Sequence, residues 1–205
     1  MQAPASTTAP EPRDAPTQED ELRAGLYSLL AFSLSRPLDD AGLRMLTQLQ
    51  GDASALGQAI SNVAAIAHRT SLENAADEYQ TLFIGIGRGE FVPYASYYLT
   101  GFLNEKPLAK LREDMARLGV RRDDEMADPE DHIASLLEMM AGFISGALPT
   151  MTLEEQRGFY EAHIGPWAHH FFADLSASDQ SPLYAALGRV GTEFLRIEED
   201  AFRMI

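Results

Sequence analysis

The segment Asp128-Pro-Glu-Asp-His-Ile-Ala-Ser-Leu-Leu-Glu-Met-Met-Ala-Gly-Phe-Ile144 combines a helix start with a long apolar face. An aspartate oxygen can accept a hydrogen bond from the first turn, and a proline fits that turn, so we predict a helix that begins at Asp128-Pro129. Pro149 is expected to end it. The helix turns an apolar face inward, because its large apolar residues recur at spacings of three and four: Ile133, Leu136, Leu137, Met140 and Ile144.

The same spacing recurs along most of the chain, whereas alternation with a period of two is nearly absent. This periodicity predicts an all-helical domain. Capping residues, glycines and prolines divide it into separate helices. We expect helices to begin near Thr17, Asp40, Ser71, Ser96, Pro107, Thr152 and Ser181, with a further helix lined by Leu56, Ile60, Val63 and Ala67. We expect breaks at Arg36-Pro37, Gly85, Gly119 and Gly165-Pro166.

The length and the first residues predict a single domain with a short tail. At 205 residues the chain can bury a substantial core. Residues 1–16 are rich in proline, alanine, serine and threonine, so we expect a disordered tail there and one domain over residues 17–205. No apolar run approaches the ~20 residues needed to span a bilayer, and the start lacks the basic and apolar parts of an export signal. We therefore expect a cytoplasmic protein without stable membrane insertion.

Charge and cysteine content exclude several classes of function. Acidic residues outnumber basic ones by 31 to 16, which gives a net charge of −15. Such a field repels phosphate backbones, so we expect no nucleic-acid partner and a preference for basic ligands. The chain contains no cysteine, which excludes disulfides, thiolate metal sites and cysteine nucleophiles.

Two stretches contain the residues of a candidate binding groove. Tyr79, Leu82 and Phe83 share one helix face, and the loop that follows is crowded with bulky residues, among them Pro93, Tyr94 and Tyr98. Tyrosines combine apolar area with a hydroxyl group and recur at recognition surfaces. The same helix face is also typical of a buried core.

The second stretch adds polar groups. Asp128 and Asp131 lie where a helix start would use them simply as caps, which is the alternative to a ligand contact. His132 follows in the first turn, where the helix dipole disfavours an imidazolium, so we expect a neutral ring. A packed core histidine is the alternative for this residue.

Neither stretch contains the parts of a catalytic or metal centre, and we expect a protein that is not an enzyme. Gly85, Gly87, Arg88 and Gly89 could present backbone amides to an anion, but no Lys-Ser or Lys-Thr follows, so this is at most a weak nucleotide site. The histidines at 163, 169 and 170 lack the spacing of a metal site, and we expect none.

The chain resembles the TorD/DmsD family of molybdoenzyme-specific chaperones, also called redox enzyme maturation proteins. The resemblance covers nearly all of the chain after the tail. It rests on five motifs in the family's order: Tyr79-x-x-Leu82-Phe83, Pro93-Tyr-Ala-Ser-x-Tyr-Leu99, Asp128-Pro-x-Asp-His132, Leu137-Glu-Met-Met140, and His163-x-x-Pro-Trp167 with Phe171.

The resemblance implies an all-helical cytosolic protein that binds the N-terminal twin-arginine signal peptide, or the apoprotein, of a molybdopterin-dependent oxidoreductase until its cofactor is inserted. The groove that it implies consists of Tyr79, Leu82, Phe83, Pro93, Tyr94, Ser96 and Tyr98, with Asp128, Asp131 and His132 as polar contacts. It implies no resident cofactor; contact with guanine nucleotide or with the molybdenum cofactor stays open. A client that is not exported is the first alternative, and a nucleotide hydrolase the second. We expect a monomer, with a domain-swapped dimer as the alternative.

Overall fold

The computed structural model describes residues 16–85, 89–122 and 128–205. Within these ranges the chain forms ten α-helices and no β-strand, so the all-helical prediction is confirmed. The helices are α1 Gln18–Ser35, α2 Asp40–Thr47, α3 Ala55–Ala67, α4 Leu72–Tyr79, α5 Ala95–Thr100, α6 Lys106–Arg117, α7 Ile133–Ser145, α8 Leu153–His163, α9 Gly165–Ser176 and α10 Pro182–Phe202. Except for Pro16, the predicted tail lies outside the described residues, as do the central glycine and the arginine of the loop after Gly85.

Most helix starts lie where the sequence predicts them. Thr17 and Thr152 each form a capping box, in which the threonine hydroxyl accepts from the third backbone N–H of the helix and an acidic side chain accepts in return. Ser71 caps α4 through the N–H of Asn74. α1 ends directly before Arg36-Pro37, as expected from the exclusion of helical angles before proline.

Helix α10 begins at Ser181-Pro182 as predicted, but its cap comes from a distant part of the chain. The carboxylate of Glu78, in α4, accepts hydrogen bonds from the N–H groups of Leu183 and Tyr184 at 2.9 and 3.2 Å. Burial raises the pKa of Glu78. This contact fixes the end of α4 against the start of the last helix.

The core surrounds α7. Helix α1 packs along it, and α9 and α3 pack on α10. Eleven of the thirteen residues of α7 are buried, so this helix is covered on nearly all sides rather than on one face. On α10, a Cβ atom at Gly191 would overlap the ring of Phe172 in α9, so the close approach of these two helices requires glycine there. The start of α7 is therefore attached to a closely packed core.

Among the described helices, none is both long and apolar enough to cross a membrane.

Candidate functional site

The two stretches singled out in the sequence meet through their backbones. Tyr94 and His132 form an isolated antiparallel bridge. The Ala95 N–H donates to the Asp131 carbonyl at 3.0 Å, and the Ile133 N–H donates to the Pro93 carbonyl at 2.8 Å. The loop before α5 is therefore fixed directly to the start of α7.

The prediction that α7 begins at Asp128-Pro129 is wrong. The helix begins at Ile133, and His132 is its N-cap residue. The bridge to Tyr94 holds His132 in an extended conformation, so residues before it cannot continue the helix. Tertiary pairing overrides the local start signal here, and it leaves Asp128 outside the helix.

Asp131 caps a different helix from the one predicted. Its Oδ2 accepts from the Ser96 N–H at 2.8 Å, in the first turn of α5. Its side chain is 1% exposed, and Oδ1 has no hydrogen-bond partner among the described residues. Ser96 is equally buried, and its hydroxyl accepts from the Glu105 N–H at 3.3 Å. In this conformation both residues shape the site from beneath its surface.

Replacing Asp131 with alanine is therefore expected to destabilise the fold. The Ser96 N–H would lose its cap, which typically costs ~1–2 kcal/mol. Urea unfolding measures the change, with Asp179→Ala as the control because Asp179 is an exposed aspartate. A midpoint equal to that of the unmodified protein would show that the carboxylate does not hold α5.

His132 is a buried, neutral cap. Its Nδ1 accepts from the Ala134 N–H at 3.2 Å, which leaves the ring proton on Nε2. Burial lowers the pKa of His132 to about 4, although the carboxylates of Asp128 and Asp131 act in the opposite direction. Both features agree with the neutral ring expected from the sequence, and the ring lies edge-on to Tyr94 at 4.9 Å between centroids.

Asp128 is the exposed acid of the site. The Tyr94 hydroxyl donates to its Oδ1 at 2.7 Å. Burial raises the pKa of Tyr94, and its hydrogen bond to Asp128 adds to the shift, so the phenol keeps its proton. A carboxylate held in this way still has acceptor positions that face solvent.

The aromatic part of the site rests on an irregular helix end. Gln80–Ile84 forms a π-helical turn, closed by the Gly85 N–H donating to the Gln80 carbonyl at 2.7 Å. Such turns occur often at functional sites. Tyr79 packs on Phe83 and Tyr184, with ring centroids 4.9 and 5.8 Å apart. Burial raises the pKa of Tyr79 to about 12, and the Asp128 carboxylate adds to this shift, which places the two side chains within electrostatic reach.

Tyr98 is the member of the predicted groove that the structure places elsewhere. Its hydroxyl donates to Asp174 at 3.1 Å, and its ring packs on Trp167 at 5.2 Å, both in α9. It fixes α5 to α9. Its backbone N–H donates to the Tyr94 carbonyl at 3.1 Å, but its side chain contacts α9.

Four of the ten predicted residues offer surface to a ligand: Phe83, Tyr94, Tyr98 and Asp128. The other six are buried: Tyr79, Leu82, Pro93, Ser96, Asp131 and His132. The surface of the site is therefore a small edge of aromatic rings and the Asp128 carboxylate, the acidic edge, on a buried base.

Sequence reasoning missed Glu130 and its partner Arg112. The Arg112 guanidinium binds both oxygens of the Glu130 carboxylate, with the shortest contact at 2.7 Å, and Glu130 is buried. Burial would raise the pKa of Glu130, but Arg112 holds it below its ordinary value. The pair joins α6 to the segment before α7, and no spacing in the sequence links these two positions.

Within the described ranges, no group of three or more histidine, aspartate or glutamate side chains is arranged to hold a metal ion.

Comparison with known proteins gives a consistent result. A family model described as nitrate reductase delta subunit matches residues 48–173, which include both stretches of the site. The chain is 32% identical over 133 residues to the chaperone protein TorD of Vibrio cholerae, covering 61% of this chain and 60% of that protein. It is 28% identical over 127 residues to a protein of Haemophilus influenzae named as a probable Tat proofreading chaperone, DmsD, with coverages of 61% and 60%. The chain thus matches about 60% of the length of these relatives.

The fold is also similar to a solved structure. That structure is of a proposed redox enzyme maturation protein from Archaeoglobus fulgidus, with a TM-score of 0.57. It is 21% identical and the match covers 91% of this chain and 99% of the other. The likeness concerns the helical architecture alone.

Proposed function

We propose that this chain, which belongs to the nitrate reductase delta subunit family of TorD-like proteins, is a chaperone for a molybdopterin-dependent oxidoreductase. It binds the client's N-terminal twin-arginine signal peptide in the cytoplasm and releases the client after cofactor insertion. It acts as a monomer and is not an enzyme. The names of the two relatives, one a chaperone and one a proofreading chaperone, support this role.

The observation that carries the proposal is the exposed carboxylate of Asp128 beside aromatic rings. A guanidinium binds a carboxylate through paired hydrogen bonds and also stacks on aromatic faces. Asp128 is positioned by the Tyr94 hydroxyl, and Phe83 lies half-buried next to Tyr79. The edge therefore offers an arginine both a partner for its charge and a surface for its plane.

The neutral state of His132 supports the same role. A protonated imidazole beside Asp128 would compete with an incoming guanidinium for the carboxylate. Burial keeps the ring uncharged at neutral pH. The net charge of −15 adds a long-range attraction for a basic segment.

Asp128→Asn tests the proposal. The variant is expected to bind a synthetic twin-arginine signal peptide about tenfold more weakly, or ~1.4 kcal/mol, because a charged hydrogen bond becomes a neutral one at an exposed site. Titration calorimetry on the full chain measures the affinity. Asp179→Asn makes the same change in net charge at another exposed aspartate and serves as the control.

Two outcomes would contradict the proposal. Equal affinity of Asp128→Asn and the control would remove Asp128 from the site. Binding of the full apoprotein without any binding of its signal peptide would favour a client recognised through its folded body, as for an oxidoreductase that is not exported.

A further inference from the structure

A second feature lies beside the acidic edge and shares Asp128 with it. It is a cleft of about 320 Å³ between α6, the face of α7 from Ser135 to Gly142, and the turn after α7. Apolar side chains form most of its wall: Met115, Val120, Met139 and Leu148. Its volume lies at the lower end of the roughly 300–1,000 Å³ typical of ligand sites, which suits a few side chains rather than a whole helix.

We call this cavity the methionine cleft. A backbone hydrogen bond and close packing hold part of its wall in place. The Leu148 N–H donates to the Gly142 carbonyl at 3.0 Å, which fixes the turn against α7. A Cβ atom at Gly142 would lie 2.7 Å from Leu148, so the glycine allows this side chain to pack there. Methionine side chains adapt to apolar partners of varied shape. The cleft therefore combines a fixed turn at Leu148 with methionine side chains that can adapt to a ligand.

Ser135 lines the cleft and has a hydroxyl that can bond to a polar ligand group. The residue is 8% exposed, and its hydroxyl has no hydrogen-bond partner among the described residues. A serine inside a helix commonly bonds to a carbonyl in the preceding turn, and a buried hydroxyl without a partner is costly. A peptide backbone group in the cleft would supply the missing bond.

The charged residues around the cleft connect it to the acidic edge. Asp128, Glu130 and Glu138 lie on its wall, together with Arg121 and Arg122. Arg112 neutralises Glu130. Asp128 belongs both to this wall and, through Tyr94, to the acidic edge. A chain bound to Asp128 by an arginine can continue directly into the cleft.

We propose that the methionine cleft holds apolar side chains of the stretch that follows the arginines of a signal peptide, with Ser135 bonded to the peptide backbone. This inference rests on the proposed function and divides the recognition site in two. Asp128 and its aromatic neighbours take the arginine, and the cleft takes the apolar residues.

Two synthetic peptides and one variant test the inference. The first peptide has two adjacent arginines followed by leucines and alanines, and in the second the leucines are serines. Ala147 is exposed and lines the cleft, so Ala147→Trp can fill it without entering the core. Ala65→Trp, on the exposed face of α3, is the matched control.

We expect the control variant to bind the leucine peptide at least about tenfold more tightly than the serine peptide, since burying one leucine favours binding by about that factor or more. Ala147→Trp should lose this difference and keep the affinity for the serine peptide. Equal binding of both peptides by the control, or an unchanged preference in Ala147→Trp, overturns the inference but leaves the proposed function standing. Binding of neither peptide by the unmodified chain overturns both.

Methyl spectra give a readout that needs no variant. In protein labelled at the methionine methyls, the leucine peptide should shift Met115 and Met139, which line the cleft. The exposed Met45 and Met204 serve as internal controls. Shifts caused equally by the serine peptide, or absent at both cleft methionines, contradict the inference even if Ala147→Trp fails to fold.

Discussion

Replacing Arg23 with methionine is expected to lower the free energy of unfolding by about 3–5 kcal/mol, since it removes one partner of a buried ion pair. The guanidinium of Arg23, in α1, binds both oxygens of Glu198, in α10, at 2.7 and 2.8 Å. Glu198 is 1% exposed, and the Tyr27 hydroxyl also donates to it at 2.9 Å. Without Arg23, this buried carboxylate would keep, among the described residues, only the Tyr27 phenol as a hydrogen-bond partner.

Urea unfolding at pH 7 measures this change. Arg196→Met is the control: Arg196 lies on α10, the helix of Glu198, but its ion pairs are exposed, and such pairs contribute ~1 kcal/mol or less. The double variant Arg23→Met/Glu198→Leu should regain part of the loss, since it removes the unpaired charge together with its partner. A midpoint for Arg23→Met within error of the control would show that the pair does not join α1 to α10.

No local pattern in the sequence could have found this pair. Arg23 and Glu198 are 175 positions apart, and each lies on a helix whose apolar spacing predicts only that the helix is buried on one side. The same limit applies to Glu78, which caps α10 from α4. Helices and caps such as Thr17 and Thr152 depend on neighbours within a few residues, whereas these contacts depend on how the helices are assembled.

In the candidate site, too, local features could be predicted from the sequence and tertiary contacts could not. Sequence reasoning found the residue types and the two stretches that meet, because bulky side chains in a short loop and acids before a helix are local signals. It misplaced the start of α7 because the bridge from Tyr94 to His132 holds the chain extended where Asp128-Pro129 favours a helix. It also could not distinguish the exposed residues that can contact a ligand from the buried residues that hold them in place. Asp128 is exposed, whereas Asp131, three residues later, is buried under α5.

The methionine cleft is a further case. Met115 lies on the inward face of a predicted helix, and Met139 belongs to the Leu137-Glu-Met-Met140 motif on which the family resemblance partly rests. Neither position by itself indicates a cavity. The cleft exists because α6, α7 and the turn after α7 do not fill the space between them, which is a property of packing rather than of any one segment.

Acidification is expected to destabilise the protein through His132. Its pKa falls from the ordinary value of 6.5 to about 4 in the folded chain because the ring is buried. Between these values the unfolded chain binds a proton that the folded chain does not, so stability falls as pH falls. The contribution is fully present above pH 6.5 and is lost progressively down to pH 4, with a total of about 3 kcal/mol.

The comparison with His132→Asn isolates this effect. Asparagine can cap α7 through its side-chain oxygen but does not titrate. Urea unfolding at pH 7 and pH 5 should show the advantage of the unmodified protein over His132→Asn shrinking by about 2 kcal/mol on acidification. The pKa of His163 is also lowered by burial, but this residue is present in both proteins, so its contribution cancels. The matched control is His170→Asn at an exposed position, which should follow the unmodified protein at both pH values.

A constant difference between the two proteins would mean that His132 titrates alike in the folded and unfolded chains. That result would place a charge beside Asp128 in mildly acidic solution, and the imidazolium would then compete with arginine for the carboxylate. The expected result means instead that the folded chain keeps the ring beside Asp128 neutral in this pH range. Peptide affinity should then remain unchanged between pH 7 and pH 5 even as the fold weakens, because His132, the titratable ring beside Asp128, is protonated in this range mainly in the unfolded chain.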